Sequence, residues 1–380
     1  MEIEDGLPNN WMYNPINRIH AFIPPNRSVT EGQKYIGRIM GRMDMEVVES
    51  CRRAVETGRL DREDCIRMLG YDADSEESRF IIDTADRVMR ERNGNSCSIG
   101  VQIGVITGPC IADCGFCGFA ISTTRADDYV MPSHVLREYL EHVTAHDDVE
   151  SVSLMTIHNF DFDDLMELVD TAVGTVPDHV SICINTGDIS PEEARELKAA
   201  GVRRAYHSLR IDEGDDTRLN PLDRFATIRT LTSAGIDVMT CVEPIGPEHT
   251  VGEIVDGFFR ARDSGCRGCS AGRRVDVPGT RMYGMGEITQ RRLEQIRSVL
   301  FLSSIHDGFY GGYYGGFDLD YAEYAGSPRD TADYSELNNG NTVEAVRRRL
   351  FARGFGAIRC GDGRFEVLDE AYLRKTGSSL

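Results

Sequence analysis

The sequence predicts an α/β protein built as a (β/α)8 barrel of the TIM type, closed or nearly closed, with a helical extension ahead of it. Three observations point there. Apolar strand-like segments recur at 99–106, 152–155, 180–184, 204–209, 237–242 and 274–277, with helix-length stretches between them. That alternation gives a parallel sheet with right-handed crossovers. The helix boundaries are chemically marked. Short polar and Gly/Pro-rich segments follow several strands, at the end where a barrel gathers its functional residues. An open doubly wound sheet is the alternative. The G-x-G-x-x-G turn of a dinucleotide fold is missing after the first strand, and a cysteine loop stands in its place.

Taken in order, residues 1 to about 45 are rich in Pro, Asn and Gly and read as an extension laid over the main domain. Residues 45–92 read as helices, with Gly58 and Gly70 as stops. Ser190-Pro191-Glu192-Glu193 is a capping box with proline at the first helical position, and Gly201 ends that helix. Asn220-Pro221 opens the next helix and Gly235 closes it, while Thr250 and Glu253 form another capping box. Residues 307–317 alternate glycines with aromatics, as a substrate-facing loop or an irregular strand would. From Thr342 a helix is expected, then a short strand or turn through Arg359, with residues 375–380 frayed. The expected organisation is 1–95 for the extension and helical preface, 96–335 for the barrel, and 336–380 for a helix and tail completing it.

The chain has 380 residues, 41% of them hydrophobic, enough to fill one large core. Its formal charge of −20 argues against a nucleic-acid surface, which needs a basic patch. No run of 18 or more apolar residues marks a membrane span. Eleven cysteines without a secretory leader point to a reducing cytoplasm.

Three of those cysteines carry most of the chemical information. Cys110, Cys114 and Cys117 form C-x3-C-x2-C, with Phe116 before the third thiol. Thiolates packed this closely suit one [4Fe–4S] cluster and leave one iron without a protein ligand. A structural zinc site would want four closed ligands. A disulfide framework fits neither the scattered cysteines nor the missing leader.

Other polar groups follow other strands. Thr156, His158 and Asn159 follow the second, with His158 either a substrate-handling base or a satisfied polar residue. Asn185 and Asp188 follow the third, where they contact a ribose or substrate, or shape the start of a helix. Tyr206, His207, Arg210 and Glu213 follow the fourth. A guanidinium there suits a carboxylate, and a carboxylate there suits an amine or hydroxyls. The fifth strand leads into Glu243-Pro-Ile-Gly-Pro-Glu-His-Thr250, where free backbone N–H groups at a helix start can meet a polar ligand. Cys266 and Cys269 form a C-x2-C pair before the sixth strand, either ordinary thiols or a sulfur or second-cluster site. Arg273 and Arg274 lead that strand and offer a cation to an acidic substrate.

The cysteine spacing resembles that of the radical S-adenosylmethionine (SAM) enzymes. Residues 98–303 resemble the biotin-synthase-like branch of that family, closest to its HmdB (HcgA) group, associated with the iron-guanylylpyridinol cofactor. Residues 185–188, 206–217, 243–250, 277–280 and 326–331 carry the likeness. One departure is that the HmdB group commonly has C-x5-C-x2-C. The resemblance implies a radical SAM barrel and two cofactors, a [4Fe–4S] cluster on Cys110, Cys114 and Cys117, and SAM. Arg210, Glu213, His207, Asn185 and Asp188 are the expected SAM contacts. It implies a 5′-deoxyadenosyl radical used on a small molecule in cofactor biosynthesis, with a low-potential donor such as ferredoxin or flavodoxin. Nucleic acid and membrane are not expected partners. The rivals are a sulfur-inserting biotin- or lipoyl-type synthase and a noncatalytic iron–sulfur or zinc scaffold. No D-x-H-x-x-G pattern is present for cobalamin.

Overall fold

A computed structural model of the chain describes residues 43–305, 310–311, 318–326 and 341–376. Among the described residues three helices come first, α1 (Met45–Thr57), α2 (Arg62–Leu69) and α3 (Glu76–Asn93). Asp44, Asp61 and Ser75 cap them through side-chain oxygens that accept first-turn N–H groups. Gly58 and Gly70 end the first two, as the sequence predicts. This preface is pinned to the barrel by Gln295, whose buried amide donates to Met68 O, Tyr71 O and Ser78 Oγ at 3.1, 3.1 and 2.8 Å.

Among the described residues eight parallel strands then build the barrel: β1 (Ser96–Thr107), β3 (Val149–Thr156), β4 (Ser181–Asn185), β5 (Arg204–Tyr206), β6 (Asp237–Ile245), β7 (Gly268–Arg273), β8 (Tyr310–Gly311) and β9 (Leu319–Tyr324). They follow one another as β9-β1-β3-β4-β5-β6-β7-β8. Among the described residues no pairing joins β8 to β9, so the ring is nearly closed, as expected. A short β2 (Tyr129–Val130) runs antiparallel to the end of β1. The outer layer is α4 (Ser133–Val143), α5 (Phe162–Thr175), α6 (Pro191–Ala199), α7 (Pro221–Ser233), α8 (Val251–Asp263) and α9 (Gln290–Leu302). The expected capping boxes are formed at Ser190/Glu193 and Thr250/Glu253. Beyond β9, α10 (Val343–Ala352) leads to a hairpin of β10 (Ala357–Arg359) and β11 (Phe365–Val367), then α11 (Glu370–Thr376). That hairpin joins the sheet beside the first residues of β1.

β1 is buried along most of its length, as a strand with layers on both sides must be. Its Gly104 is required by close approach, because a Cβ there would lie 2.0 Å from Ala325 O. No helix among the described residues is long and apolar enough to cross a membrane.

Two strands differ from the sequence reading. The sixth predicted strand, 274–277, is irregular, and the strand before it is Gly268–Arg273. Gly268-Cys-Ser-Ala-Gly is small-residue backbone packed between α8, α9 and β6, with no β-branched signal to reveal it. This moves Arg273 and Arg274 from the base of a strand to its C-terminal end. The fourth, expected over 204–209, keeps ladder pairing only to Tyr206. Residues 1–42, 306–309, 312–317, 327–340 and 377–380 lie outside the described residues. The expectations for the N-terminal extension, most of the Gly/aromatic segment, most of 326–331 and the tail end fall there.

Candidate active site

The C-terminal ends of the strands surround a cavity of about 300 Å³. Cys110, Cys114 and Cys117 all line it, on the loop leaving β1. That loop turns at Asp113, whose φ of 48° is left-handed, a conformation Asp tolerates better than most residues. The fully buried Asp113 carboxylate accepts the Ser122 N–H at 3.0 Å and faces Arg218 at 2.8 Å and Arg281 at 3.4 Å. Gly115 ties the loop to its neighbours. Its N–H donates to Asp216 O, and its carbonyl accepts from the Met282 N–H, both at 2.9 Å. Asn159 closes the base, accepting the Ile111 N–H at 3.0 Å and donating to Pro109 O at 3.2 Å.

Two of the sulfurs accept backbone donors. The His158 N–H lies 3.3 Å from Cys110 Sγ, and the Phe119 N–H lies 3.4 Å from Cys117 Sγ. Such bonds stabilise a thiolate and tune an iron–sulfur centre. Burial pushes the Cys114 thiol up, against the pull of Arg210, and pushes Cys117 up to about 12 beside Cys114. Metal binding at this loop therefore releases protons. No three His, Cys, Asp or Glu side chains among the described residues converge on a single-ion site. Thiolates on a cluster each take a different iron, so the fit requires sulfurs around one volume and not at one point. The donor set suits the cluster on that ground.

Arg210 reaches the cavity from the loop after β5, its guanidinium 5.5 Å from the centre of the Phe116 ring. Its Nε has no partner among the described residues. Burial opposes its charge, but Cys114, Glu213 and Glu243 more than offset this and hold it protonated. Asn185 also lines the cavity. The other three expected contacts stand behind the wall. Glu213 supports Arg210, 3.6 Å from its guanidinium, while accepting the Thr217 hydroxyl at 2.9 Å. Asp188 accepts from Arg224 at 2.9 Å and from Thr227 at 3.0 Å. Burial alone would raise its pKa, but His207, Arg224 and Thr227 draw it well below the carboxylate range. His207 is buried, with Nε2 3.4 Å from Asp188, and burial beside Arg224 lowers its pKa to about 3. Thr156 and His158 line the cavity.

Sequence reasoning missed Arg224, and placed Tyr206, Glu243, Arg273 and Arg274 beside strands without their partners. Arg224 sits in the first turn of α7, 4% exposed with an unpartnered Nε, and nothing in its helical periodicity marks it. Glu243, Tyr206 and Ser208 form a unit, in which both hydroxyls donate to Glu243 Oε1, at 2.6 and 2.9 Å. Arg273 and Arg274 line the same cavity from the end of β7. Arg274 is held by Glu248 and by Gly286 O at 2.9 Å. Cys266 and Cys269 do not line this cavity. Cys266 borders a separate groove of about 560 Å³ at the opposite end of β6 and β7, with Arg59, Arg262 and Arg267.

Comparison with known proteins agrees with this geometry. A profile described as the Radical SAM superfamily matches residues 105–280. The chain is 23% identical over 337 residues to the biotin synthase of Persephonella marina, covering 86% of this chain and 93% of that one. It is 23% identical to the biotin synthase of Trichodesmium erythraeum, covering 52% and 57% respectively. It is 28% identical to that of Desulforudis audaxviator, covering 50% and 60%. The last two matches thus span less than two thirds of the relative's length. Among solved structures, the fold is shared with methylornithine synthase PylB, at a TM-score of 0.67 and 15% identity over 86% of this chain and 99% of that one. It is also shared with HydG, a maturase of the [FeFe]-hydrogenase, at 0.66 and 13% identity over 92% and 84%.

Proposed function

Because the chain is a radical SAM enzyme of the biotin-synthase-like branch, working with a [4Fe–4S] cluster and SAM, we propose that it abstracts hydrogen from a small molecule enclosed in the barrel mouth, as a step in cofactor biosynthesis. The observation that carries this reading is the meeting of the three thiols with Arg210, Arg224 and Asn185 in one cavity. When bound, the cluster and SAM supply a 5′-deoxyadenosyl radical. Cys110, Cys114 and Cys117 hold the cluster, with the His158 and Phe119 N–H groups steadying two sulfurs. Arg210, kept charged and backed by Glu213, offers an unused N–H to the SAM carboxylate. Asp188 and His207 act at one remove: they fix Arg224 and the turn that presents Asn185. A radical reaction needs water kept from the site, and the apolar lining from Ile106, Phe116, Phe119 and Met155 favours that.

The finer assignment is to iron-guanylylpyridinol cofactor formation, supported by residues 185–188, 206–217, 243–250 and 277–280. A low-potential donor such as ferredoxin or flavodoxin supplies the electron. Sulfur insertion would draw on Cys266 and Cys269, which stand away from the cavity. The test is anaerobic reconstitution with iron and sulfide, then SAM and reductant with a deproteinised cell extract. 5′-Deoxyadenosine and a new small-molecule mass are expected. A protein that cleaves no SAM, or one stimulated only by a macromolecular fraction that itself acquires the mass change, would overturn the proposal.

A further inference from the structure

We infer that Arg281 is a positioning residue, a strut that fixes the cysteine loop against the loop carrying Arg210. It thereby holds the cluster and the SAM carboxylate contact in one relative geometry. This rests on the radical SAM reading and adds to it a residue that acts through others.

Chain segments that follow different strands meet beside Cys114. One is the cysteine loop, another the turn over 210–218 after β5, and the last is 274–287 after β7. Bonds close the base of that last segment. Arg274 donates to Gly286 O and the Asp276 N–H to Glu287 Oε1, each at 2.9 Å. Its far side rests on the cysteine loop. Arg281 Nη2 donates to Asp113 O at 2.9 Å and to Asp216 O at 3.2 Å, and Nη1 lies 3.4 Å from the Asp113 carboxylate. The Gly115 N–H donates to the same Asp216 O at 2.9 Å. The residues on both sides of Cys114 are therefore tied to one carbonyl of the turn after β5. Gly115 admits this arrangement, because a Cβ there would lie 3.2 Å from Arg281 Nη2 and 3.1 Å from the Met282 side chain.

The grip on Asp216 reaches Arg210 through a compact turn. The Asp216 N–H donates to Asp212 O at 2.9 Å, and the Arg210 N–H donates to Glu213 Oε2 at 3.3 Å. A displacement of Asp216 is thus passed to the start of the turn. Arg218 makes a further tie, its N–H donating to Ala112 O and its guanidinium meeting Asp113, both at 2.8 Å. Arg218 belongs to the turn it fastens. Arg281 comes from outside both loops and grips them together. A planar fork suits that task, since its donors diverge at fixed angles. Groups that orient the holders of a cofactor matter as much as the holders, and a shift of about 1 Å can cost about a hundredfold in rate. The Asp113 side chain is fully buried, whereas that of Arg281 is 44% exposed, so Arg281 can be replaced without opening the core.

The test reconstitutes wild type, Arg281→Ala and Arg281→Lys with iron and sulfide. It reads iron by elemental analysis, SAM cleavage by 5′-deoxyadenosine release at saturating SAM, and the electron paramagnetic resonance of the reduced cluster with and without SAM. Iron content should match the wild type in both variants. The cleavage rate should fall about tenfold or more in both, and the change that SAM induces in the resonance should shrink with it. Dilute guanidinium ion should restore part of the rate in Arg281→Ala, and ethylammonium should not, because a point charge lacks the fork. Iron lost in step with the rate would make Arg281 a staple of the cysteine loop alone and overturn the inference. A rate within about twofold of wild type in either variant, an unchanged resonance response, or recovery with both cations or neither would overturn it too. Failure of the wild type to assemble the cluster or cleave SAM would instead overturn the functional proposal itself.

Discussion

Two groups of cysteines at opposite ends of the barrel look alike in spacing and differ in almost everything else. Cys110, Cys114 and Cys117 sit on a loop at the C-terminal mouth, where backbone N–H groups reach two of their sulfurs and Arg210 faces the third. Cys266 and Cys269 sit at and just inside the N-terminal end of β7. Cys269 donates to Ser270 O at 3.3 Å, and Cys266 lies 3.3 Å from the Ser264 hydroxyl. Burial pushes Cys266 up to about 11 and Cys269 well above its usual value, as it pushes up Cys114 and Cys117 at the mouth, so thiol acidity does not separate the two groups. A thiolate is the form that binds metal. Position relative to a strand end, and the donors found there, separates a cluster loop from two packed thiols.

The sharpest way to break this contrast is to remove each group in turn. Replacing Cys110, Cys114 and Cys117 by Ala should abolish the brown chromophore, about four bound irons and SAM cleavage. Replacing Cys266 and Cys269 by Ser should leave iron content unchanged by elemental analysis. Equal iron loss in both would erase the distinction.

Next in size are the cations beside each group. Arg210→Ala should weaken SAM binding roughly ten- to over a hundredfold, as expected for about 1.5–3 kcal/mol of charge-assisted contact. Glu213→Gln should weaken it less, because Glu213 acts through Arg210. Arg267→Ala, next to Cys266, should leave SAM affinity unchanged in equilibrium dialysis.

A third measurement compares the mouth with the rest of the core through pH. The His207 pKa is lowered from 6.5 to about 3. Between those values the unfolded chain binds a proton that the folded chain refuses. Stability is therefore fully present above pH 6.5 and is lost as pH falls toward 3, with a slope near 1.4 kcal/mol per pH unit for one proton. His207→Gln should flatten the denaturation midpoint between pH 6 and 4 by about that slope. An unchanged slope would show that the proton is taken up elsewhere. The smallest effect is at the loop base, where Asn159→Ala removes two hydrogen bonds and should cost about 1–3 kcal/mol. Ser264→Ala beside Cys266 should cost less than about 1 kcal/mol in the same urea titration.

Much of this contrast was legible before any coordinates. The C-x3-C-x2-C loop, five of the six strand positions and both capping boxes follow from period, composition and cap chemistry. The β7 position was not legible, because Gly268-Cys-Ser-Ala-Gly carries no hydropathy signal while Val275 and Val277, in the irregular segment beyond, do. That shift hid the placement of Arg273 and Arg274 at the mouth. Polar residues after strands were found by position, yet position does not give depth. Asn185 and Arg210 face the cavity, whereas Glu213, His207 and Asp188 turn behind it to satisfy buried partners. Arg224 and Glu243 gain their places only from tertiary packing, one on a helix and one at the end of a strand.

The two hydrogen bonds of Gly115 have a consequence for how the protein is made. The cysteine loop bridges to Asp216 on one side and to Met282 on the other. A ribosome releases the three cysteines long before it releases Met282, and chains fold in the order they emerge. The loop is thus complete in sequence while half of its mooring is still untranslated. The finished geometry of the loop therefore depends on the segment that follows β7, in the last third of the chain.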